Sequence, residues 1–265
     1  MHPVLFKIGS FSVPTYGIAY FLGIMLTVIL AVRRVEKEGR DLEDYLSCIL
    51  LAIIGMLIMS KTLHILTNWD MYAANPKRFY NFRTGHVFYG GYIGSITFPL
   101  IYTVWKKIPF RPILDITATY MPLGLALHRA MGCFGAGCCY GCPTDVPWGV
   151  TFPTNAPASK AFGHVAVHPT QLYEAGFALL MFVALIVFRE KWRKAPGQIF
   201  FLQIIIYGIG RFLIEFFRGD AERGVYGPMS TSQWISVIGI IAAIAAFYAT
   251  GFFAKNGNPR QPASR

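Results

Sequence analysis

Residues 196–217 read PGQIFFLQIIIYGIGRFLIEFF. The stretch is almost entirely apolar and is long enough to cross the hydrocarbon core of a bilayer, which takes about 20 residues of helix. Two charged residues, Arg211 and Glu215, stand inside it, both near its C-terminal end. Because an ionised side chain in lipid costs at least a few kcal/mol, Arg211 should face neighbouring helices and have a partner there. The stretch therefore predicts a transmembrane helix packed within a bundle.

Similar runs recur along the chain, which predicts an all-α, polytopic membrane protein with about seven transmembrane helices. The composition agrees, because 14% of the residues are charged and 54% are hydrophobic, whereas soluble domains carry about 25% charged residues. The expected spans are 13–32, 45–66, 87–105, 113–134, 170–188, 196–217 and 231–253. We expect a single transmembrane domain over 1–265, with outer-face loops at 67–86 and 135–169 and a disordered tail at 255–265.

The positive charges predict the orientation. With the N-terminus outside and the C-terminus inside, the cytoplasmic segments hold about twice as many lysines and arginines as the outer ones, as the positive-inside rule requires. The first run lacks a basic segment before it and a cleavage site after it, so we expect a retained helix rather than a cleaved signal. The net charge of +11 is spread over short loops between apolar runs. It therefore favours anionic lipid headgroups as partners and argues against nucleic acid.

This orientation brings polar residues from separate segments to the outer half of the bilayer. Tyr16, Tyr89, Arg129, His168 and Arg211 are all expected at this depth. Such a convergence is typical of a site that opens to the outer leaflet.

Three residues of the sixth span, Tyr207, Arg211 and Glu215, follow one another at intervals of four and so share one helix face. The pair of Arg211 with Glu215 could serve only to lock the helix. Alternatively, Glu215 holds Arg211 while the guanidinium binds a phosphate, because its planar fork suits phosphate oxygens. Arg129, arriving at similar depth from the fourth span, favours an anionic phospholipid as ligand.

Two further segments could line the same site. His168–Glu174 predicts a helix start, with Thr170 as N-cap and Glu174 near the positive end of the helix dipole; it could also form the polar rim of a lipid cavity. The paired glycines Gly90 and Gly91, after Tyr89, allow close approach of a ligand or simply of another helix.

Residues 132–142 hold four of the five cysteines, namely Cys133, Cys138, Cys139 and Cys142. A disulfide of Cys138 or Cys139 with Cys142 is plausible on an oxidising outer face. Metal binding is a weaker hypothesis, because the spacing lacks paired CxxC motifs or a clear histidine set. Packing of small polarizable side chains in a glycine-rich break is the third alternative.

The chain resembles the prolipoprotein diacylglyceryl transferase family over nearly its whole length. The matching blocks keep the family's order and spacing, and the most specific of them are His168–Glu174 and Tyr207–Arg218. In full, the blocks are Pro3–Phe6, Ile8–Gly9, Tyr16–Gly17, Tyr89–Gly91, Gly132–Phe134, Gly141, His168–Glu174 and Tyr207–Arg218.

The resemblance implies a multi-pass enzyme of the bacterial inner membrane with its active site toward the outer leaflet. Such enzymes transfer the diacylglyceryl group of phosphatidylglycerol to the lipobox cysteine of a prolipoprotein and release glycerol 1-phosphate. The resemblance implies no metal and no organic cofactor. The expected partners are phosphatidylglycerol, the lipobox segment and the bilayer.

Carried over by position, the resemblance assigns catalytic roles to Arg211, Glu215, Tyr89 and Arg129. It assigns substrate binding to Tyr16, Tyr207, Gly90, Gly91, His168, Gln171 and Cys133. Three positions depart from the family pattern: Tyr89 replaces a histidine, Cys133 an asparagine and Cys138 a glutamate. The family's second arginine stands three residues before that asparagine, but Arg129 stands four before Cys133. One residue rotates a helical side chain by about 100°, so Arg129 needs a local distortion of the helix to reach the same phosphate.

These departures leave two other functions open. A divergent transferase could use an anionic phospholipid with another acceptor. A lipid-binding, transport or membrane thiol–disulfide protein would not be a transferase at all.

The predicted orientation can be tested with reporters fused after Arg265. A reporter that works only in the cytoplasm should be active, and one that works only on the outer side should be silent. The same pair of reporters fused in the loop at 106–112, which is also expected inside, serves as the control. Activity of only the outer-side reporter after Arg265 would reverse the predicted orientation.

Overall fold

A computed structural model of the chain describes residues 4–8, 11–80, 87–220 and 224–256. The helices are α1 Thr15–Lys37, α2 Leu42–Thr67, α3 Trp69–Ala74, α4 Phe88–Lys106, α5 Phe110–Leu127, α6 Phe134–Ala136, α7 Pro157–Phe162, α8 Thr170–Lys191, α9 Gln198–Ile214 and α10 Thr231–Asn256. Among these described residues, 3-10 turns at Pro76–Tyr80 and Glu215–Phe217 and a π-helix at His128–Cys133 are the other helical elements. The strands form three antiparallel pairs, namely β1 Val4–Ile8 with β2 Phe11–Pro14, β3 Val150–Thr151 with β4 Ala166–Val167, and β5 Val225–Tyr226 with β6 Met229–Ser230.

The all-α, polytopic fold is confirmed. Helices occupy all seven positions at which apolar runs predicted them. Within the described part of the chain, five of them are long and apolar enough to cross a membrane. These are Thr15–Lys37, Leu42–Thr67, Thr170–Lys191, Gln198–Phe217 and Thr231–Ala249. The count of seven spans and the orientation stay predictions.

The contacts divide the chain into two compact units. One comprises residues 1–31 and 114–265, and the other comprises residues 32–113. The single domain over 1–265 stays a prediction. Of the predicted tail, residues 255 and 256 end α10, and the rest lies outside the described residues.

In the unit of residues 32–113, α2 and α4 pack through glycines. A Cβ atom on Gly94 would overlap the carbonyl oxygen of Gly55, and one on Gly55 would overlap the carbonyl of Gly94. The two backbones can touch only because neither residue has a side chain. Gly90 and Gly91 belong to the same contact: a Cβ on Gly90 would meet Met59, and one on Gly91 would meet Met56. Helix packing therefore accounts for both glycines.

In the larger unit, a buried carboxylate fixes the start of α9. The Oδ2 atom of Asp115 accepts the Gly197 amide at 2.8 Å, and Oδ1 accepts the Phe200 amide at 3.0 Å. These amides have no partner inside the helix. Arg193 lies 3.3 Å from the same carboxylate, so Asp115 anchors α5 to α9.

Residues 137–169, most of the expected loop at 135–169, fold into a small cap. The paired strands β3 and β4 and the short helix α7 enclose an apolar cluster of their own. Its buried members are Tyr140, Phe152, Ala156, Ala158 and Val167. The cap ends directly before the first residue of α8, so it positions the first side chains of that helix.

The glycine contact between α2 and α4 predicts that a Gly→Ala substitution lowers stability at this contact but not at an open position of another helix. Gly94→Ala should lower the free energy of unfolding by about 1–3 kcal/mol, because the new methyl group forces the backbones apart. Gly176→Ala in α8 is the matched control, since a Cβ there meets nothing within 4 Å. It should be neutral or stabilising because alanine favours helix. Thermal unfolding in detergent measures both, and equal effects would contradict the packing.

Candidate functional site

Glu174 in α8 is the centre of a buried cluster of charges. Its Oε2 atom lies 2.6 Å from Nε of Arg129, and its Oε1 atom lies 3.3 Å from Nη1 of Arg211 and 3.5 Å from Nη1 of Arg218. The glutamate side chain is only 6% exposed. Three arginines from three separate segments thus surround one carboxylate, as charges removed from water require partners.

The first turn of α8 is held by the cysteine-rich segment. The Thr170 hydroxyl donates to the carbonyl of Cys139 at 2.7 Å, and the Gln171 amide donates to the carbonyl of Cys138 at 2.7 Å. The prediction that Thr170 is the N-cap is wrong, because Pro169 precedes the helix and Thr170 is its first residue. Glu174 pairs with three arginines, and its interaction with the helix dipole stays a prediction. Local spacing could not reveal these distant partners.

Arg129 reaches this carboxylate from a π-helix. Residues 128–133 adopt the wider π turn, in which hydrogen bonds run from residue i to i+5. This is the local distortion that the offset of Arg129 by one residue required. The guanidinium also donates from Nη1 to the sulfur of Cys133 at 3.5 Å. Arg129 and Arg211 therefore meet at one residue, Glu174, whereas their predicted depth in the bilayer stays a prediction.

Arg211 and Glu215 form the expected pair, with Nη1 2.7 Å from Oε2. The other terminal nitrogen of Arg211 donates to the Ser232 hydroxyl of α10 at 3.1 Å. Together with Glu174 and Tyr207, Arg211 lines a narrow cavity of about 10 Å³, roughly the room of one water molecule. Tyr207 is 37% exposed.

Arg218 is a member of the cluster that sequence reasoning missed, because it was counted as a loop charge. Its Nε donates to Oδ1 of Asp220 at 2.7 Å, and Nη2 pairs with Oδ2. Burial alone would lower the pKa of Arg218, but the hydrogen bond to Asp220 and the charges of Cys139 and Glu174 raise it. Its ion pairs with Asp220 and Glu174 hold Arg218 in this cluster. The sequence signal was its place at the end of the matched block Tyr207–Arg218, three residues after Glu215.

Tyr16 and His168 take different positions. The ring of Tyr16 packs edge-on against His128, with 4.6 Å between the centroids, and 45% of the residue is exposed. His168 faces the cap: its Nδ1 lies 3.1 Å from the Tyr173 hydroxyl, and its ring packs on Phe217. Tyr16 therefore borders the π-helix that carries Arg129, whereas His168 supports the entry to α8.

Three of the clustered cysteines come together and the fourth does not. The sulfurs of Cys133, Cys138 and Cys139 all lie within 4.8 Å of one another. Cys142 instead donates to the carbonyl of Arg218 at 3.1 Å. All five cysteines are free, so the disulfide alternative with Cys142 is not formed. The pKa of Cys139 is lowered because its sulfur accepts hydrogen bonds from the other two thiols, with Arg218 and Arg129 adding to the effect.

Gly90 and Gly91 lie in the unit of residues 32–113 and face α2, as described above. The side chain of Tyr89 lies outside the described part of the structure. Their proposed roles at the site stay predictions.

Comparison with known proteins gives one consistent result. A family described as prolipoprotein diacylglyceryl transferase matches residues 3–249. The phosphatidylglycerol–prolipoprotein diacylglyceryl transferase of Clostridium tetani is 36% identical over 247 residues, which cover 93% of this chain and 97% of that protein. The enzyme of the same name from Clostridioides difficile is 34% identical over 93% of this chain and 94% of its own length. That of Geobacter sulfurreducens is 36% identical over 88% of this chain and 89% of its own length. This chain, with its matched blocks in order and its arginines gathered around Glu174, belongs to the prolipoprotein diacylglyceryl transferase family.

Proposed function

We propose that this protein transfers the diacylglyceryl group of phosphatidylglycerol to the lipobox cysteine thiol of prolipoproteins and releases glycerol 1-phosphate. The observation that carries the proposal is the meeting of Arg129, Arg211 and Arg218 at Glu174. Family membership and the names of the relatives support the same reaction. We place the reaction at the outer leaflet of the bacterial inner membrane, on the basis of the predicted orientation.

The arginine cluster suits the phosphate of the donor lipid. Each guanidinium has five N–H donors, and the contacts with Glu174, Glu215 and Asp220 use only part of them. Three carboxylates offset three arginines, so the empty site carries no large excess charge. When phosphate enters, the remaining donors of Arg211 and Arg129 stabilise it, and most strongly as charge develops on the leaving oxygen.

The chemistry is a displacement at the glycerol carbon. The acceptor sulfur forms the new S–C bond as the C–O bond to phosphate breaks, and glycerol 1-phosphate leaves with the electron pair. The thiol must lose its proton, because the thiolate is the nucleophile. We assign Tyr89 to the place where that proton leaves. Glu215 orients Arg211.

The remaining residues fall into two groups by exposure. Tyr16 and Tyr207 are partly exposed, and we assign them, with His168, to the lipid headgroup. Gln171 and Cys133 are 0% and 1% exposed. Because side chains this buried cannot touch the lipid, we assign them to holding Glu174 and Arg129 in place.

The substitution of Arg211 by lysine tests whether the shape of the guanidinium matters beyond its positive charge. Arg211→Lys keeps the positive charge but loses the fork that reaches Glu174, Glu215 and Ser232 together. We expect kcat for glycerol 1-phosphate release from phosphatidylglycerol and a lipobox peptide to fall by about 10²–10³-fold. Arg33→Lys, at an exposed position of α1, is the matched control and should keep full activity. No release by the unmodified protein, under conditions in which a typical family member works, would overturn the proposed function.

Glu174→Gln should damage both stability and activity. The amide keeps the shape of the side chain but leaves three largely buried arginines without their shared carboxylate. Breaking such a buried charge cluster costs about 3–5 kcal/mol, so the midpoint of thermal unfolding in detergent should fall clearly, and transferase activity with it. Glu36→Gln changes an exposed carboxylate of α1 and is the control. Equal midpoints for the two variants would show that Glu174 does not hold the arginines together.

A further inference from the structure

Three thiols and an imidazole lie together beside the arginine cluster. The sulfurs of Cys133, Cys138 and Cys139 are mutually within 4.8 Å. The Nε2 atom of His128 lies 3.5 Å from the sulfur of Cys133. None of these four side chains takes part in a disulfide, and the proposed transfer reaction assigns no chemical step to them.

His128 is an unusual residue for a helix core. It is only 9% exposed, and its Nδ1 atom has no hydrogen-bond partner within the described part of the chain. The ring makes edge-on contacts with Tyr16 and Tyr20, with centroid distances of 4.6 and 5.3 Å. A buried imidazole with an unsatisfied nitrogen costs free energy, and this one has its other nitrogen aimed at a thiol.

The backbone around the cluster is shaped to bring these side chains together. The π-helix places His128 and Cys133, five residues apart, next to each other. Gly137 then takes a left-handed conformation with φ of 69°, and so does Cys139 with φ of 57°. A left-handed conformation is uncommon for a residue with a side chain. Two turns in quick succession fold Cys138 and Cys139 back onto Cys133.

The distances are close to those of a tetrahedral zinc site. Zn–S bonds of about 2.3 Å and Zn–N bonds of about 2.0 Å place sulfurs about 3.8 Å apart and a nitrogen about 3.6 Å from a sulfur. The sulfurs need to close by at most about 1 Å, and the His128 ring must turn toward Cys138 and Cys139. We propose that Cys133, Cys138, Cys139 and His128 form a binding site for a thiophilic divalent cation, with Zn²⁺ as the ion that fits this ligand set. Soft thiolates with one imidazole select zinc over Mg²⁺ or Ca²⁺.

The site would act on the arginine cluster through Cys133. The Cys133 sulfur accepts a hydrogen bond from Arg129, whose Nε contacts Glu174. A metal-bound thiolate is a stronger acceptor than a thiol, so the ion would fix Arg129, and three thiolates would gain from the nearby positive charge. Metal ions also protect thiolates from pairing into disulfides. This inference goes beyond the proposed transfer reaction, and metal binding can be measured without any assay of transferase activity.

Metal content and cobalt spectra test the site on the full chain. The protein is purified in detergent with Zn²⁺ in the medium and with an affinity tag free of histidine and cysteine. We expect one zinc per chain by mass spectrometry of the metal, and Co²⁺ in its place should give the visible bands of tetrahedral thiolate coordination. Cys139→Ser removes one of three thiolates, so it should lower the sulfur-to-cobalt absorption or weaken Co²⁺ binding by at least about tenfold. Cys142→Ser removes a neighbouring thiol outside the cluster and should bind as the unmodified chain does.

A second measurement does not depend on the variants folding. In the unmodified chain, Zn²⁺ should slow alkylation of three cysteines, and a chelator should restore it, while Cys142 reacts alike in both conditions. Zinc well below one per chain, or equal cobalt spectra for Cys139→Ser and the unmodified chain, would overturn the proposal. A disulfide within the cluster in protein purified without reductant would overturn it as well. Each of these results leaves the transferase assay free to succeed or fail by itself.

Discussion

The pairing of Glu174 with three arginines is the constraint on which the rest of the larger unit depends. Burying a carboxylate that is 6% exposed is costly unless partners compensate its charge, and the same holds for the arginines. Arg129 arrives on the π-helix, Arg211 on α9 and Arg218 just beyond it, so those segments must all meet the second turn of α8. The demand for charge compensation thus fixes how four segments assemble.

Buried charged residues hold α9 at both of its ends. At its start, Asp115 accepts two backbone amides and pairs with Arg193. At its end, Arg211 pairs with Glu174 and Glu215. Because both ends are tied by buried charges, a phosphate that reaches Arg211 meets a guanidinium whose position is already set. Such preorganisation is what electrostatic stabilisation of a leaving group needs.

Sequence reasoning succeeded where the physics is local. Apolar length located the helices, and spacing by four residues predicted the pair of Arg211 with Glu215. It failed where partners are distant in sequence. Thr170 and Gln171 bind carbonyls of Cys139 and Cys138 more than 30 residues away, so the expected N-cap was wrong, and Glu174 could not be recognised as the centre of the cluster.

The sequence by itself determined that the chain is a membrane-embedded helical protein, because burial of about 20 apolar residues in lipid depends on composition alone. It also determined that the intramembrane Arg211 needs a partner. Only the tertiary structure decided that Arg129 reaches Glu174, the carboxylate that Arg211 also contacts. The π-helix compensates for the offset of Arg129 by one residue. The three-thiol cluster was likewise decided there, because two left-handed residues bring together side chains whose spacing matches no linear metal motif.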